Sequence, residues 1–208
     1  MSPTIAVLVA TFGEPVWAHR AALAVSAARA QQPDEVHAVH AATLADARNA
    51  ADAAASADWL CHLDADDRLE AGYLDAMRAA IVEHGPGALY APRIRFVRDG
   101  VDEPVQSIAH RDMDHLNPCV VGTVLERQLV ADIGGWWHER AWEDWSLFRR
   151  AWLAGARLIE VPDAVYRITV NPEGRNSTVH DPQRLSAEIR RSHRRWAAER
   201  RRAWRAAR

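Results

Sequence analysis

Three aspartates, Asp64, Asp66 and Asp67, directly follow the apolar run Trp59–Leu63. The run has the length of a buried strand, so the carboxylates are expected at a strand's carboxyl end, where ligands bind in open α/β sheets. Carboxylates packed this closely repel one another unless a cation or donor groups keep them ionised. Oxygen ligands without neighbouring Cys or paired His favour Mg²⁺ or Mn²⁺ over Zn²⁺. The turn predicts a divalent-metal site, and the alternative is that Asp67 only caps the next helix.

A second acidic pair, Glu143 and Asp144, begins a helical pattern that Gly155 can end. Four tryptophans fall within the ten residues from Trp136 to Trp145, and flat aromatic faces beside a carboxylate suit sugar recognition. The alternative is that the acids complement the helix dipole and the tryptophans pack the core.

Strands and helices alternate in the sequence around these acids. Apolar runs predict strands at residues 5–9, 35–39, 59–63, 88–91, 94–97, 120–125, 157–161 and 165–168. Five helical patterns lie between these strands. The first two end near residues 32 and 56, the next two cover residues 74–84 and 127–133, and the last ends at Gly155. Such alternation predicts an α/β fold with a mainly parallel sheet and helices on both faces.

The composition is that of a soluble globular protein. Its 208 residues suit one domain with a sizeable core. The apolar run at residues 5–9 is too short for a signal peptide, and no stretch has the length of a transmembrane helix. The two cysteines form no metal or disulfide pattern, so a cytoplasmic protein is expected.

The C-terminal segment differs in charge from the rest of the chain. Residues 188–208 contain nine Arg and two Glu, although the whole chain has a net charge of −2. From about Gln183, apolar residues fall on one helical face (Leu185, Ile189, Trp196, Ala203) and arginines on the other (Arg190, Arg194, Arg201, Arg205, Arg208). We therefore expect a main domain at residues 1–181 and a basic amphipathic helix at 182–208. Such a helix binds nucleic acid, an anionic membrane or an acidic partner, or is simply solvated.

Four segments occur in a characteristic order. They are Thr11-Phe12-Gly13-Glu14, Ala47-Arg48-Asn49, Asp64-Ala65-Asp66, and Gly134-Gly135-Trp136 followed by Glu143-Asp144-Trp145. Together they resemble the inverting family-2 glycosyltransferases with the GT-A (nucleotide-diphospho-sugar transferase) fold. The resemblance covers roughly residues 4–170 and leaves the C-terminal helix unexplained.

The resemblance implies a role for individual residues on the donor side. Asp66 is expected to bind the metal, Mn²⁺ or Mg²⁺, and Asp64 to contact the nucleoside or ribose. Arg48 and Asn49 are expected beside the nucleotide. Two residues at the end of the first strand are expected to border the base, Thr11 and Glu14.

The resemblance also implies that Asp144 is the general base and that His180 is a further metal ligand. The family usually has an acidic segment after the second strand that contacts the base, whereas this chain has His40 there. Uridine is therefore the default nucleotide, and guanosine and thymidine stay open.

The expected function is a metal-dependent inverting glycosyltransferase that uses a nucleoside-diphosphate sugar, UDP-sugar first, and an acceptor hydroxyl. A glycosidase is disfavoured because it needs two carboxyls flanking the bond and no metal. The alternatives are a nucleotide-sugar-binding protein without turnover and a nucleic-acid-binding protein acting through the Arg-rich segment. The acceptor is open, with polyanions such as modified DNA or a lipid-linked glycan as candidates, and an oligomer is also left open.

Overall fold

The computed structural model describes residues 2–171 and 178–206, with backbone alone for 201–206. The helices are α1 (Val16–Arg29), α2 (Leu44–Ala54), α3 (Tyr73–His84), α4 (Arg127–Asp132), α5 (Glu143–Leu153) and α6 (Pro182–Ala206). The strands are β1 (Ile5–Phe12), β2 (Glu35–Ala41), β3 (Trp59–Leu63), β4 (Arg68–Leu69), β5 (Ala88–Arg98), β6 (Val101–Asp102), β7 (Leu125–Glu126) and β8 (Arg157–Thr169). The expected mixed α/β class is confirmed.

The first sheet has the strand order β2-β1-β3-β7. Strand β1 is parallel to β2 and β3, and β7 is antiparallel to β3. The first six residues of β1 are apolar and buried, as expected of a central strand covered on both faces. Because β1, β2 and β3 run in the same direction, their carboxyl ends meet at one edge of the sheet, with Thr11 opposite His40.

The second sheet has the order β4-β8-β5-β6, and its long strands β5 and β8 are parallel. Each was predicted as two short strands, because Pro92 and Pro162 interrupt the apolar pattern. The pairing instead continues past both prolines: the partner of Pro92 is Val161 and that of Arg93 is Val165, so the register shift absorbs the interruption. Strand β4 pairs with β8, which fixes the acidic turn to the end of β8.

Two other predicted boundaries were wrong. The strand expected at residues 120–125 is reduced to Leu125–Glu126, with Val124 bridging to Tyr90, because residues 120–123 form a turn. Helix α1 ends at Arg29 and not at Gln32, because Gln32 has a φ of 52°, outside the helical region.

Helix α6 packs against the rest of the chain at least as far as Ala197. Its buried residues repeat every four positions, Leu185, Ile189, His193 and Ala197, and they face the core and α5. Burial lowers the pKa of His193 to about 3, so its neutral ring accepts or donates one hydrogen bond with Ser146 Oγ at 3.0 Å. The predicted division at residue 181 therefore does not coincide with a break in packing.

The basic side of α6 is exposed at Arg191, Arg194 and Arg195. The predicted positions of Arg201, Ala203, Arg205 and Arg208 lie outside the side chains that the structure describes. Among the described residues, no helix is both long enough and apolar enough to span a membrane.

Candidate active site

A cavity of about 960 Å³ opens at the carboxyl edge of β1 and β3. Its walls come from the end of β1, the start of α2, the acidic turn, the start of α5, a loop at residues 106–121, the ends of β5 and β8, and the first turns of α6. The topology therefore brings segments far apart in the sequence to one concave surface, as expected at the carboxyl edge of a parallel sheet.

The acidic turn contributes three carboxylates with different partners. Asp64 Oδ1 accepts a hydrogen bond from Arg48 Nη2 at 2.9 Å. Asp67 is buried, and its Oδ1 accepts from the backbone N–H of Thr169 at 2.8 Å. The carboxylate of Asp66 lines the cavity and forms no side-chain hydrogen bond or ion pair with another described residue. Asp66 is thus the carboxylate of the turn whose oxygens have no side-chain partner among the described residues.

The turn carries more negative charge than its donors neutralise. Burial raises the pKa of Asp66, and repulsion from Asp64 raises it further. Burial and the same kind of repulsion hold the pKa of Asp67 well above its usual range. A divalent cation fits this turn because it would offset the surplus charge. No group of three or more His, Cys, Asp or Glu side chains in the described part of the chain could hold a metal alone, so Asp66 would share the ion with substrate phosphates, as is usual for Mg²⁺.

Arg48 lies between the acidic turn and the start of α5. Its side chain is 4% exposed and stacks over Trp136, with its guanidinium carbon 4.4 Å from the ring centroid. Burial lowers the pKa of Arg48, but the nearby carboxylates outweigh this effect and raise it, namely Asp64, Glu143 and Asp144. The buried guanidinium of Arg48 therefore interacts electrostatically with both acidic segments of the site, the acidic turn and the start of α5.

Trp136 is held in place by the side chains of α2. Asn49 donates to its carbonyl oxygen at 2.9 Å and accepts from its N–H at 2.8 Å. Asp52 accepts from Trp136 Nε1 at 3.0 Å and also bonds His62 Nε2 at 2.7 Å. Gly135 has a φ of 62°, and a Cβ there would lie 2.5 Å from Asn49 Oδ1. A residue larger than glycine at position 135 would therefore clash with α2. The close contact places the Trp136 ring where Arg48 stacks on it.

Asp144 stands in the first turn of α5 and faces the cavity half-buried. Its Oδ2 accepts a hydrogen bond from Asn117 Nδ2 at 2.8 Å. Burial raises its pKa to about 6, while Arg48 opposes the rise. Trp142, just ahead of α5, has the uncommon φ of 62° and also lines the cavity. A carboxylate that is oriented and has a pKa near neutrality is suited to accept a proton.

Five of the predicted site residues line the cavity together: Thr11, Arg48, Asp64, Asp66 and Asp144. The Oγ1 atom of Thr11 lies 3.1 Å from Nδ1 of His40, so His40 reaches the place where the base was expected.

Three others do not line it. Glu14 is exposed in the turn after β1. Asn49 uses both ends of its carboxamide on the backbone of Trp136, which is a structural role, and its contact with the nucleotide stays a prediction. His180 is exposed just before α6 and belongs to no metal-binding group of described residues.

Sequence reasoning did not single out Asn117 or the pair of Asp52 and His62, and it included Trp142 only as one of four tryptophans suited to sugar recognition. Asn117 ends an irregular stretch, residues 101–117, and the length of that stretch was the available signal, because long irregular loops in compact domains are often functional. Asp52 and His62 lie within regular elements, where local patterns do not reveal partners.

Comparison with solved structures identifies neighbours of the same fold. The crystal structure of S. aureus TarS, a glycosyltransferase, matches with a TM-score of 0.60 at 17% identity, over 82% of this chain and 37% of that one. TarS 1–349 in complex with UDP-GlcNAc gives 0.62 at 15% identity, over 85% and 61% of the two chains. TarS 1–349 in complex with UDP gives 0.61 at 17% identity, over 89% and 65%.

The protein therefore has a glycosyltransferase fold and spans between about a third and two thirds of the TarS chains it matches. Comparisons with protein-family models and with curated protein sequences find no match.

Proposed function

We propose that this protein is a metal-dependent inverting glycosyltransferase of the family-2 type, which moves a sugar from a nucleoside diphosphate to an acceptor hydroxyl. The observation that carries the proposal is the position of Arg48 between the acidic turn and Asp144, on the wall of one cavity. The acidic turn suits the diphosphate side of the donor, and Asp144 suits the acceptor side. The neighbouring TarS structures with UDP and UDP-GlcNAc support a nucleotide-sugar as donor.

Each side chain of the site has a definite task in this reaction. Asp144, oriented by Asn117, takes the proton of the acceptor hydroxyl as its oxygen attacks the sugar carbon from the side opposite the leaving diphosphate. Arg48 holds Asp64 in place beside the nucleotide and keeps Asp144 ionised. A Mg²⁺ or Mn²⁺ ion bound by Asp66 would offset the charge that develops on the diphosphate.

The base of the nucleotide is expected near Thr11 and His40 at the ends of β1 and β2. Uridine is the first candidate because it is the nucleotide of the neighbouring complexes, and His40 takes the place at which the family usually has an acid. His40 can donate or accept a hydrogen bond according to its tautomer, which is compatible with the uracil edge.

The proposal is tested by calorimetric titration with UDP, GDP and dTDP, in Mn²⁺ and in EDTA. We expect UDP to bind most tightly and only with the metal, because close carboxylates need a cation to approach a diphosphate. Asp66→Asn should lose this binding, whereas Asp75→Asn, which changes an exposed carboxylate of α3, should keep it. Binding that is equal in EDTA, or unaffected by Asp66→Asn, would contradict the metal-dependent assignment.

A second candidate activity is polyanion binding through α6. The supporting observation is the row of exposed arginines on its outer face, Arg191, Arg194 and Arg195. Because the inner face of the helix is packed against the core, this binding would act alongside sugar transfer and could bring the site to a polyanionic acceptor.

A further inference from the structure

The charged residues on the cavity wall are divided between two halves. The acidic ones all belong to the acidic turn or to the start of α5: Asp64, Asp66, Asp67, Glu143 and Asp144. The described basic side chains of the wall other than Arg48 lie on β5 and on the loop at residues 106–121: Arg98, Arg111 and His115. The half of the cavity formed by these two elements therefore has cations but no acidic lining residue in the described part of the chain, and we call it the basic half.

Arg111 is the available cation of the basic half. The other two have carboxylate partners, Arg98 with Glu103 at 2.5 Å and His115 with Asp112 at 2.7 Å. Arg111 is exposed and forms no ion pair with any described residue, and its polar contact is a long one, from Nη1 to the carbonyl oxygen of Asn117 at 3.5 Å. Asn117 also donates to Asp144. The guanidinium of Arg111 therefore lies close to the residue that orients the proposed base.

Apolar side chains surround the cations of the basic half. Leu116 is 58% exposed, which is unusual for a large apolar residue on a concave wall. Phe96 and Ile168 are half-buried and also line the cavity. A ligand that bound only through charge would leave this apolar surface in water, at a cost that grows with the exposed area.

We infer that the basic half is the acceptor site and that the acceptor is a phosphate ester, with its phosphate near the hydroxyl that receives the sugar. The inference rests on the proposed function, because Asp144 must act on the acceptor. The Arg111 guanidinium would bind the phosphate, since Arg presents parallel N–H donors that match phosphate oxygens. The carbon skeleton of the ester would cover Leu116 and Phe96. The carboxylates of the acidic half would repel the phosphate of the acceptor but not its neutral hydroxyl, and a metal ion at Asp66 would offset this repulsion only for the donor diphosphate, which keeps the two sites distinct.

Saturation-transfer difference NMR on the full chain tests this inference, at saturating UDP and Mg²⁺ so that the donor site is filled. The probes are glycerol 3-phosphate and short-chain 1-hexanoyl lysophosphatidic acid, which both keep a free hydroxyl. Glycerol is the comparison, and inorganic phosphate, which has no protons to observe, is added as a competitor. We expect both esters to bind more tightly than glycerol, and inorganic phosphate to displace them only when it is in large excess. Arg111→Ala should weaken their binding about tenfold or more, as loss of a charge-assisted contact typically does. The matched control is Arg191→Ala, which removes an exposed arginine of α6 away from the cavity.

The outcomes separate this inference from the proposed function. Stronger binding of the lysophosphatidic acid than of glycerol 3-phosphate supports a lipid phosphate, and the reverse order supports a polyol phosphate. If UDP binds normally but the esters bind no better than glycerol, or if Arg111→Ala binds them like the wild type, the acceptor assignment is overturned and the transferase proposal stands. If UDP itself fails to bind, the transferase proposal fails first.

Discussion

Arg48 Nη2 donates to Asp64 Oδ1 at 2.9 Å, and this contact joins the second turn of α2 to the acidic turn after β3. The arginine is almost fully buried, whereas the side chain of Asp64 is 40% exposed. The pair therefore places a permanent positive charge at the bottom of the cavity and leaves part of the carboxylate accessible to a ligand.

Replacing Arg48 should change the pH dependence of the reaction. Asp144 must be ionised to act as a base, so the wild-type rate of donor hydrolysis, with water as acceptor, should rise through about pH 6 and then level off. Because Arg48 lowers the pKa of Asp144, Arg48→Met should move this midpoint to higher pH. The check is a pH–rate profile of UDP-sugar hydrolysis between pH 4.5 and 9, with Arg191→Met as the control that should keep the wild-type midpoint. An unchanged midpoint in Arg48→Met would show that Asp144 is not the titrating base.

Asn49 provides a second test, because its predicted and observed roles differ. The structure uses its carboxamide on both backbone groups of buried Trp136, so Asn49→Ala should lower the free energy of unfolding by about 1–3 kcal/mol, as loss of a buried partner typically does. UDP affinity measured at low temperature, where the variant is folded, should stay within a few-fold of wild type. Normal stability combined with a large loss of UDP affinity would instead support the direct contact with the nucleotide that the sequence suggested.

The elements that position the site were largely predictable from the sequence. Apolar runs identify β1, β2 and β3, and parallel strands place their carboxyl ends at one edge, which is why Thr11, Asp64 and Asp66 were expected together. The helical pattern placed Asp144 at the start of a helix, but its expected role as the base came from the family resemblance and not from periodicity.

Other features could not be read from local patterns. Asn117 reaches Asp144 from an irregular loop, and nothing periodic in that loop indicates its direction. The continuity of β5 and β8 depends on a shift in pairing register at their prolines, which is a property of two strands and not of one. The packing of α6 likewise depends on partners in α5, such as Ser146 for His193.

The end of α6 should be separable from the site. Removal of residues 201–208 should leave the melting temperature and UDP affinity unchanged, because the buried residues of the helix whose side chains the structure describes, Leu185 to Ala197, all lie before the deleted segment. Binding to heparin should weaken and lose part of its salt dependence, since fewer cations would contact the polyanion. Ile189→Asp is the contrasting variant, and it should destabilise the fold by placing a charge in the core. A truncated chain that fails to fold would show that the last turns belong to the core or to an interface between copies.

Asp144 gives the sharpest prediction, because its proposed task differs in kind from that of Asp66. A base that acts on the attacking oxygen should matter little for donor binding and greatly for turnover. Asp144→Asn keeps the shape of the side chain and an oxygen that can accept from Asn117, so only the ability to take a proton is lost. Loss of a positioned base typically slows a reaction about 10²- to 10⁴-fold. The variant should therefore bind UDP and Mn²⁺ normally while hydrolysis and transfer of the donor nearly vanish.

The competing explanation is that Asp144 only complements the dipole at the start of α5. In that case Asn, which is also favourable near a helix N-terminus, would cost little stability and leave activity close to wild type. Measuring UDP affinity and donor turnover for Asp144→Asn, Asp66→Asn and Glu143→Gln separates the two explanations, because Asp66→Asn should lose both quantities. If Asp144→Asn keeps more than about a tenth of the wild-type rate, the loss is too small for a missing base. The base would then lie elsewhere, and a selective loss of turnover in Glu143→Gln would identify its buried neighbour as the proton acceptor.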